Sequence, residues 1–373
     1  MSQYIDNAVN HYRALLEAQL ARTERMEHAA PAKDFTTLEK VTIGVIDGDG
    51  IGPIISEQSM RVLEALLKDE VAAGRVELKR IEGLTIENRL AVGEAVPKAV
   101  LEEVKRCDVL LKGPTETPKG GTMESANVAL RRELDLYANV RPVSVPAEGV
   151  DWTFFRENTE GEYVLGSQGI EVPGKLWMDF KVTTLPGTRR IARAAFEFAK
   201  KNGKTRVSVI TKANIMKKTD GAFSAICHEI AAEYPGIEVD EWYIDIATAK
   251  LIDPKTRSRF QVFVLPNLYG DIITDEAAQM QGGVGTAGSA NLGDQYAMFE
   301  AIHGSAPRMI ETGRGAYANP ASLMRAAAML LRHIARPEAA ARLEAALDAT
   351  TNDGMTAVAF TDAVLEHIAA QQG

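Results

Sequence analysis

Short apolar runs, each followed by a polar turn and then a helix-period segment, recur along this chain. That alternation restricts it to a mostly parallel sheet covered by helices. Val41-Thr-Ile-Gly-Val-Ile46 reads as a buried strand, Asp47-Gly-Asp-Gly-Ile-Gly-Pro53 as a tight turn, and Ile54 to Lys68 as a helix with apolar residues at three- and four-residue spacing. The unit returns at Val109-Leu-Leu111 before Gly113-Pro114, at Val207-Ser-Val-Ile210 before Lys212, and at Val262-Phe-Val-Leu265 before Asn267. Trp242-Tyr-Ile244 is a further apparent strand. Sheets of this kind bind ligands beyond the carboxyl ends of their strands, so the polar clusters after these runs are where chemistry is expected.

Four stretches depart from the pattern. Residues 1–40 read as an appended helix from Tyr4 to His28, with Ile5, Val9, Tyr12, Leu15, Leu16 and Leu20 roughly on one stripe and Pro31 ending it. Residues 164–187 hold little helical pattern; Lys175 to Thr184 alternates like a strand, which suggests an arm or β-ribbon. Gly282, Gly283, Gly285 and Gly288 suggest close backbone packing or a hinge. Residues 320–349 are Ala-, Leu- and Arg-rich and helical in character.

At 373 residues, with 46% hydrophobic and 25% charged side chains, the chain is long enough for two or three domains or one large α/β unit and needs no covalent staples. Its formal net charge of −9 argues against nucleic acid or an anionic membrane as partner. Cys107 and Cys227 lie far apart without metal-ligand spacing, as expected of free thiols in a reducing cytoplasm. No run approaches the ~18–20 apolar residues of a membrane span. The N-terminus has no apolar signal core, and its acidic residues Asp6, Glu17, Glu24 and Glu27 are unlike a transit peptide.

Arg131, Arg141 and Arg156 fall close together in sequence, with Ser125 and Asn127 before them and Tyr163 after. A guanidinium is a planar fork that matches a carboxylate, so converging arginines suit a multiply charged acid. A solvated, salt-bridged helix face would use the same residues. Asp271 and Asp275 stand four apart after a strand. On a helix their carboxylates share one face, where a Mg²⁺ or Mn²⁺ ion would offset their repulsion. An acidic first helical turn is the competing reading, and Asp245 is the leading third carboxylate. Lys212 could act as a base if its surroundings lower its pKa, and Tyr163 could donate a phenolic proton. Gly48-Asp-Gly50-Ile-Gly52 does not complete a dinucleotide-binding fingerprint. The loop His303-Gly-Ser-Ala-Pro307, followed by Arg308, offers backbone N–H groups to phosphates.

Six motifs in order resemble the β-decarboxylating dehydrogenases acting on isocitrate, 3-isopropylmalate, homoisocitrate and tartrate. They are Gly48-Asp-Gly-Ile-Gly-Pro53, Gly113-Pro-Thr-Glu-Thr-Pro118, the stretch Leu130 to Pro142, Arg156-Glu-Asn-Thr-Glu-Gly-Glu-Tyr163, Asn267 through Asp275, and His303-Gly-Ser-Ala-Pro307. The resemblance covers residues 41 to about 370. It implies an isopropylmalate-dehydrogenase-like two-domain α/β fold, with a large, mostly parallel twisted sheet, rather than a Rossmann fold. It divides the chain into an N-terminal helical extension (1–40), a large coenzyme-binding domain (41–136 and 282–373), a small dimerisation and metal-binding domain (137–161 and 188–281), and an arm or clasp (162–187).

The resemblance also implies roles. Arg131, Arg141 and Arg156 hold substrate carboxylates, with Thr117, Ser125, Asn127 and Asn214 beside them. Lys212 assists deprotonation of the C2 hydroxyl, and Tyr163 protonates the enol left by decarboxylation. Asp245, Asp271 and Asp275 hold Mg²⁺ or Mn²⁺. Glu300, His303, Gly304, Ser305, Ala306, Arg308 and Asn319 contact the coenzyme. Lys212 and Asp245 reach the site from a neighbouring copy, so a homodimer is the minimal unit. The polar pair Ser125 and Asn127 disfavours isopropylmalate, since burying them unpaired costs about 1–3 kcal/mol each. Isocitrate is the expected substrate, with homoisocitrate next and a catalytically silent regulatory subunit as the alternative of another class. Arg308 stands where NAD-using members carry Asp, which favours NADP over NAD.

Overall fold

The computed structural model describes residues 2–118, 123–283 and 287–371. Among them the strands are β1 Val41–Ile46, β2 Val76–Ile81, β3 Val109–Lys112, β4 Ala138–Val145, β5 Val150–Glu157, β6 Ile170–Val172, β7 Leu176–Met178, β8 Arg206–Thr211, β9 Glu238–Tyr243, β10 Val262–Leu265, β11 Gly288–Leu292 and β12 Ala297–Ala301. The chain divides into two compact units, Ala32–Leu136 with Ala278–Gly373 and Met1–Pro31 with Tyr137–Ala277.

In the unit of 32–136 and 278–373, β1 pairs in parallel with β2 and β3, and β3 in parallel with β12. Only β11 runs antiparallel, against β12. β1 and β3 are almost wholly buried, which is why they read as continuous apolar runs rather than alternating ones. Beneath them Ile46, Ile81, Leu84, Val104, Leu110, Leu130 and Met298 form a core cluster. The helix Gly52–Leu66 opens with Pro53 in its first turn and buries Ile55, Val62 and Leu63.

In the unit of 1–31 and 137–277, β5–β10, β10–β8 and β8–β9 are parallel and β4–β5 is antiparallel. Trp152, Phe154 and Phe263 are fully buried, with the two phenyl rings stacked 4.3 Å apart. The helix Leu185–Lys201 covers the sheet with Ile191, Ala192, Ala195, Phe196 and Ala199, a helical-period stripe. Thr184 caps its start by accepting a hydrogen bond from the Gly187 N–H at 3.1 Å.

Several boundaries differ from the sequence expectation. Lys175 to Thr184 is not one strand: β6 and β7 form a short antiparallel hairpin that ends at Met178, and Val182 makes only an isolated bridge to Gly161. Gly174, at φ +69°, makes the turn, and Thr184 is taken up by helix capping. Ile244 opens the helix Ile244–Leu251 rather than closing a strand, so Asp245 lies in a first helical turn. The stretch 320–349 is two helices, Ala321–His333 and Pro337–Ala349, because Ala335 adopts a left-handed conformation (φ +59°) and Pro337 cannot continue the first. A further helix, Ala357–Ala370, went unread in the sequence. Gly288 is a site of close packing: a Cβ there would lie 2.3 Å from the backbone nitrogen of Ala326. Gly285 lies outside the described residues.

The N-terminal helix runs Ser2–Glu27. Of its apolar stripe only Leu15 is buried; Ile5, Val9, Tyr12, Leu16 and Leu20 remain about half exposed. No described helix is long and apolar enough to cross a membrane.

Candidate active site

The unit holding Arg141, Arg156, Tyr163, Lys212 and all three candidate aspartates builds its polar cluster on one helix, Asn267–Met280, which begins just after β10. Its register sets Asp271 and Asp275 one turn apart. Arg156, at the end of β5, is buried with 1% exposure. Its Nε and Nη2 donate to the Asn267 side-chain oxygen at 2.8 and 2.6 Å, and its Nη1 donates to Asp271 Oδ1. Tyr163 donates its phenol to the other Asp271 oxygen at 2.8 Å, and its ring lies under the Arg156 guanidinium at 5.4 Å. Arg141, on β4, donates Nη1 to Asp275 Oδ1 at 2.7 Å and to Thr274 Oγ1 at 2.8 Å.

Glycine at 270 makes this geometry accessible. A Cβ there would lie 2.5 Å from Cγ of Arg156, so any side chain would push the guanidinium off the aspartate. Burial pushes the Asp271 carboxyl upward, but Arg156, the Tyr163 hydroxyl and Arg141 outweigh it and hold the group below the usual carboxylate range. Asp271 is therefore an anion at neutral pH, with its helix face still half exposed.

Lys212 and Asp245 form a separate pair. Lys212 follows β8, and its Nζ lies 2.6 Å from Asp245 Oδ1. Asn214 sits in the exposed turn just after Lys212. Among the described residues no group of three or more His, Cys, Asp or Glu is placed to hold a metal ion, so one chain does not bring Asp245 together with Asp271 and Asp275. What Asp271 and Asp275 do offer is oxygen-only ligation from two side chains with 44% and 63% exposure. That donor set fits part of the shell of a hard divalent cation such as Mg²⁺ or Mn²⁺.

The other unit holds the remaining candidates. Arg131, near the end of the helix Ala126–Glu133, donates Nη2 to Glu300 Oε1 at 3.0 Å. Glu300 also meets the fully buried Lys112 at 3.3 Å and accepts from Asn291 at 2.8 Å. Burial pushes Glu300 up, yet the two cations and the amide hold it down at about 2. Lys112 is itself lowered, because burial outweighs the pull of Glu300. Ser125 is the residue before that helix, and Asn127, in its first turn, accepts from Thr115 Oγ1 at 3.1 Å. Thr117 is exposed in the preceding loop.

The loop His303-Gly-Ser-Ala306 precedes the short helix Pro307–Glu311, with Ala306 at φ +45°. The Gly48–Gly52 turn braces this loop: Ile51 N–H donates to the Ser305 carbonyl at 2.9 Å, and a Cβ on Gly50 would lie 2.2 Å from that oxygen. The glycine turn is thus a close backbone approach rather than a fingerprint. Ser305 Oγ donates to Glu116 Oε1 at 3.2 Å, and His303 Nδ1 lies 3.0 Å from the carbonyl of Gly304. Asn319, just before the next helix, accepts from Ala321 N–H at 2.9 Å. Arg308 is exposed and makes no ion pair among the described residues, which leaves its guanidinium available to a phosphate.

Sequence reasoning missed Asn267 as the residue that orients Arg156, Lys112 as a partner of Glu300, and Arg89. Arg89 is buried and donates to the carbonyls of Ala95 at 2.8 Å and Glu116 at 2.7 Å, tying down the loop that bears Thr117. Asn267 was legible as part of a motif. Arg89 carried no signal, because its partners are backbone carbonyls.

The family model for isocitrate/isopropylmalate dehydrogenase matches residues 42–368. An NADP isocitrate dehydrogenase of Rickettsia bellii is 40% identical over 85% of this chain and 64% of its own length. The chain thus spans less than two thirds of that relative's length. A probable NAD isocitrate dehydrogenase subunit alpha of Caenorhabditis elegans, named as mitochondrial, is 39% identical over 84% of this chain and 85% of its own. Among solved structures, isocitrate dehydrogenase from Methylococcus capsulatus superposes with a TM-score of 0.78 at 36% identity, covering 88% of this chain and 99% of that one. The protein TT0538 of Thermus thermophilus superposes with a TM-score of 0.77 at 34% identity, over 88% and 68%.

Proposed function

The chain belongs to the isocitrate/isopropylmalate dehydrogenase family, and from that premise we propose that it oxidises isocitrate at C2, releases the β-carboxylate as CO₂ and forms 2-oxoglutarate while reducing a nicotinamide coenzyme. The observation that carries the reading is the single helix bearing Asp271 and Asp275, each met by a buried arginine, with Tyr163 on the first. Anion-binding, metal-binding and proton-donating groups are thereby fixed to one another.

Arg131, Arg141 and Arg156 bind the substrate carboxylates, each held by a carboxylate partner that fixes the fork before substrate arrives. Lys212 takes the proton of the C2 hydroxyl as hydride leaves. Tyr163 returns a proton to the carbon left by decarboxylation, from a hydroxyl now held on Asp271. Asp271 and Asp275, with Asp245, would hold Mg²⁺ or Mn²⁺. When bound, such a cation polarises the substrate hydroxyl and carbonyl oxygens and stabilises developing negative charge. Ser125 and Asn127 hydrogen-bond the carboxylate that distinguishes isocitrate from isopropylmalate, which agrees with relatives named for isocitrate. Homoisocitrate, one methylene longer, is the second substrate choice.

Asp245 and Lys212 pair apart from Asp271 and Asp275 within one chain, which supports a homodimer in which a second copy supplies them. Exposed Ile246 and Ile272 on the helices that carry these aspartates give that contact apolar surface. The unpaired Arg308 supports NADP over NAD. Free, buried Cys107 and Cys227 support a reducing cytoplasm. Glu300, His303, Gly304, Ser305, Ala306 and Asn319 complete the coenzyme site in this reading.

The alternative is a silent subunit that needs a partner chain. Retention of Tyr163, Lys212, all three aspartates and all three arginines favours the active enzyme. Purified chain alone, given Mg²⁺, isocitrate and coenzyme, is expected to turn over. Activity that appears only after a second, different chain is added contradicts the proposal.

A further inference from the structure

The N-terminal helix lies outside the stretch matched by the family model, yet it docks on the segment that carries Arg156 and Tyr163. Arg22 donates Nη1 to Glu160 Oε1 at 3.0 Å, and Nη2 to the Thr159 hydroxyl and carbonyl at 3.3 and 3.4 Å. The two side chains of the ion pair have 17% and 3% exposure. Tyr12 packs against Phe180 at 5.4 Å, and His11 lies 2.9 Å from the carbonyl of Gln168, so the helix is held at more than one point.

Glu160 is one of two carboxylates buried three residues apart. Glu157 accepts from the Thr159 N–H and hydroxyl, both at 2.8 Å, and from the Glu160 N–H at 2.6 Å. Glu160 accepts from the Thr184 N–H at 2.9 Å and from its hydroxyl. Arg190, on the helix Leu185–Lys201, lies over the Tyr137 ring at 4.3 Å and donates to Thr159 Oγ1 at 3.1 Å. Two buried carboxylates this close need compensating cations, and Arg22 is in direct contact with Glu160.

The backbone of Glu160 leads to the site. Its carbonyl accepts from Asn267 Nδ2 at 3.1 Å, and the oxygen of that same amide holds Arg156. Arg156 then meets Asp271, which accepts from Tyr163. The path Arg22, Glu160, Asn267, Arg156, Asp271, Tyr163 is continuous and lies in one unit of the fold.

We infer that Arg22 is a positioning residue for the proposed reaction: the appended helix supplies the cation that fixes Glu160, and through Asn267 it fixes Arg156 and Asp271. The inference rests on the roles of Arg156, Asp271 and Tyr163 given above. Among the described contacts, the cations facing the acidic pair are Arg22 from the N-terminal helix and Arg190 from the helix Leu185–Lys201; Asn267, from the third element, is neutral. Burial pushes the Glu157 carboxyl up to about 7, and the Glu160 charge pushes the same way, against Thr159 and Arg190. Removing Arg22 takes away the cation bonded to Glu160 beside a second buried carboxylate, so the deficit is expected to grow as pH rises and Glu157 ionises.

The test uses the full chain with Mg²⁺, isocitrate and NADP. Arg22→Gln is expected to lower kcat by about 10- to 100-fold at pH 8.5. The deficit should shrink towards pH 6, and Arg22→Lys should recover most of the activity. The double variant Arg22→Gln/Glu160→Gln, which removes the buried charge with its partner, is expected to recover to within about threefold of wild type at pH 8.5; it also carries the test if the single variant does not fold. A folded Arg22→Gln with wild-type kcat and pH profile overturns the inference. So does a double variant without recovery. Wild-type chain without turnover fails the dehydrogenase reading itself, whereas wild-type turnover with an unaltered Arg22→Gln fails only the role of Arg22.

Discussion

Tyr163 donates its phenolic hydrogen to the Asp271 oxygen that Arg156 does not occupy, at 2.8 Å. One aspartate thus carries a buried cation on one oxygen and a proton donor on the other, and the donor's ring lies beneath that cation. In the proposed reaction this places the group that returns the proton beside a ligand of the divalent cation.

Metal affinity should follow the aspartate charge. Asp275→Asn removes one of the two anionic ligands proposed on the helix while keeping a partner for Arg141. The Mg²⁺ concentration for half-maximal activity is expected to rise at least about tenfold. Chelation of wild type should abolish activity, and added Mn²⁺ should restore it. Titration of activity against free Mg²⁺ reads both.

Substrate choice should reside at Asn127. Replacing it with Leu removes the hydrogen bond proposed to the substrate carboxylate and is expected to lower kcat/KM for isocitrate by about one to two orders of magnitude. An unchanged value would mean that the helix start Ser125–Asn127 does not face the substrate.

Coenzyme choice should reside at Arg308. Arg308→Asp replaces a cation that has no ion pair among the described residues with an acceptor suited to ribose hydroxyls, so the ratio of kcat/KM for NADP to that for NAD should fall by about tenfold or more. Steady-state rates with both coenzymes check it.

Glu300 should make stability acid-sensitive. Its carboxyl is held at about 2, well below its unfolded value, so its contribution is full above about pH 4.5 and is lost as pH falls towards 2. Glu300→Gln leaves Lys112 and Arg131 without their shared anion and is expected to destabilise the chain by about 3–5 kcal/mol at pH 7. Urea unfolding should show the gap to wild type narrowing as pH approaches 3.

The alternating strands were legible because parallel, doubly covered strands must be apolar throughout: β1 and β10 were read at their observed ends. The hairpin β6–β7 was misjudged because its polar and apolar residues alternate beyond the three residues that actually pair. At the site, Arg141 and Arg156 could be read as anion binders, since buried guanidinium groups need acids and both acids stood in one motif. Their pairing, Arg156 with Asp271 and Arg141 with Asp275, could not be read, because it depends on the register between β4, β5 and the helix Asn267–Met280. Arg22 was invisible for the same reason: its partner Glu160 is 138 residues away.

The central claim is tested most directly by a rate matrix for the purified chain with Mg²⁺, crossing isocitrate, homoisocitrate, 3-isopropylmalate and tartrate with NADP and NAD. The account predicts the highest kcat/KM for isocitrate with NADP, with 2-oxoglutarate and CO₂ formed in equal amounts. A higher value for any other acid, or no turnover with isocitrate under either coenzyme, would contradict it.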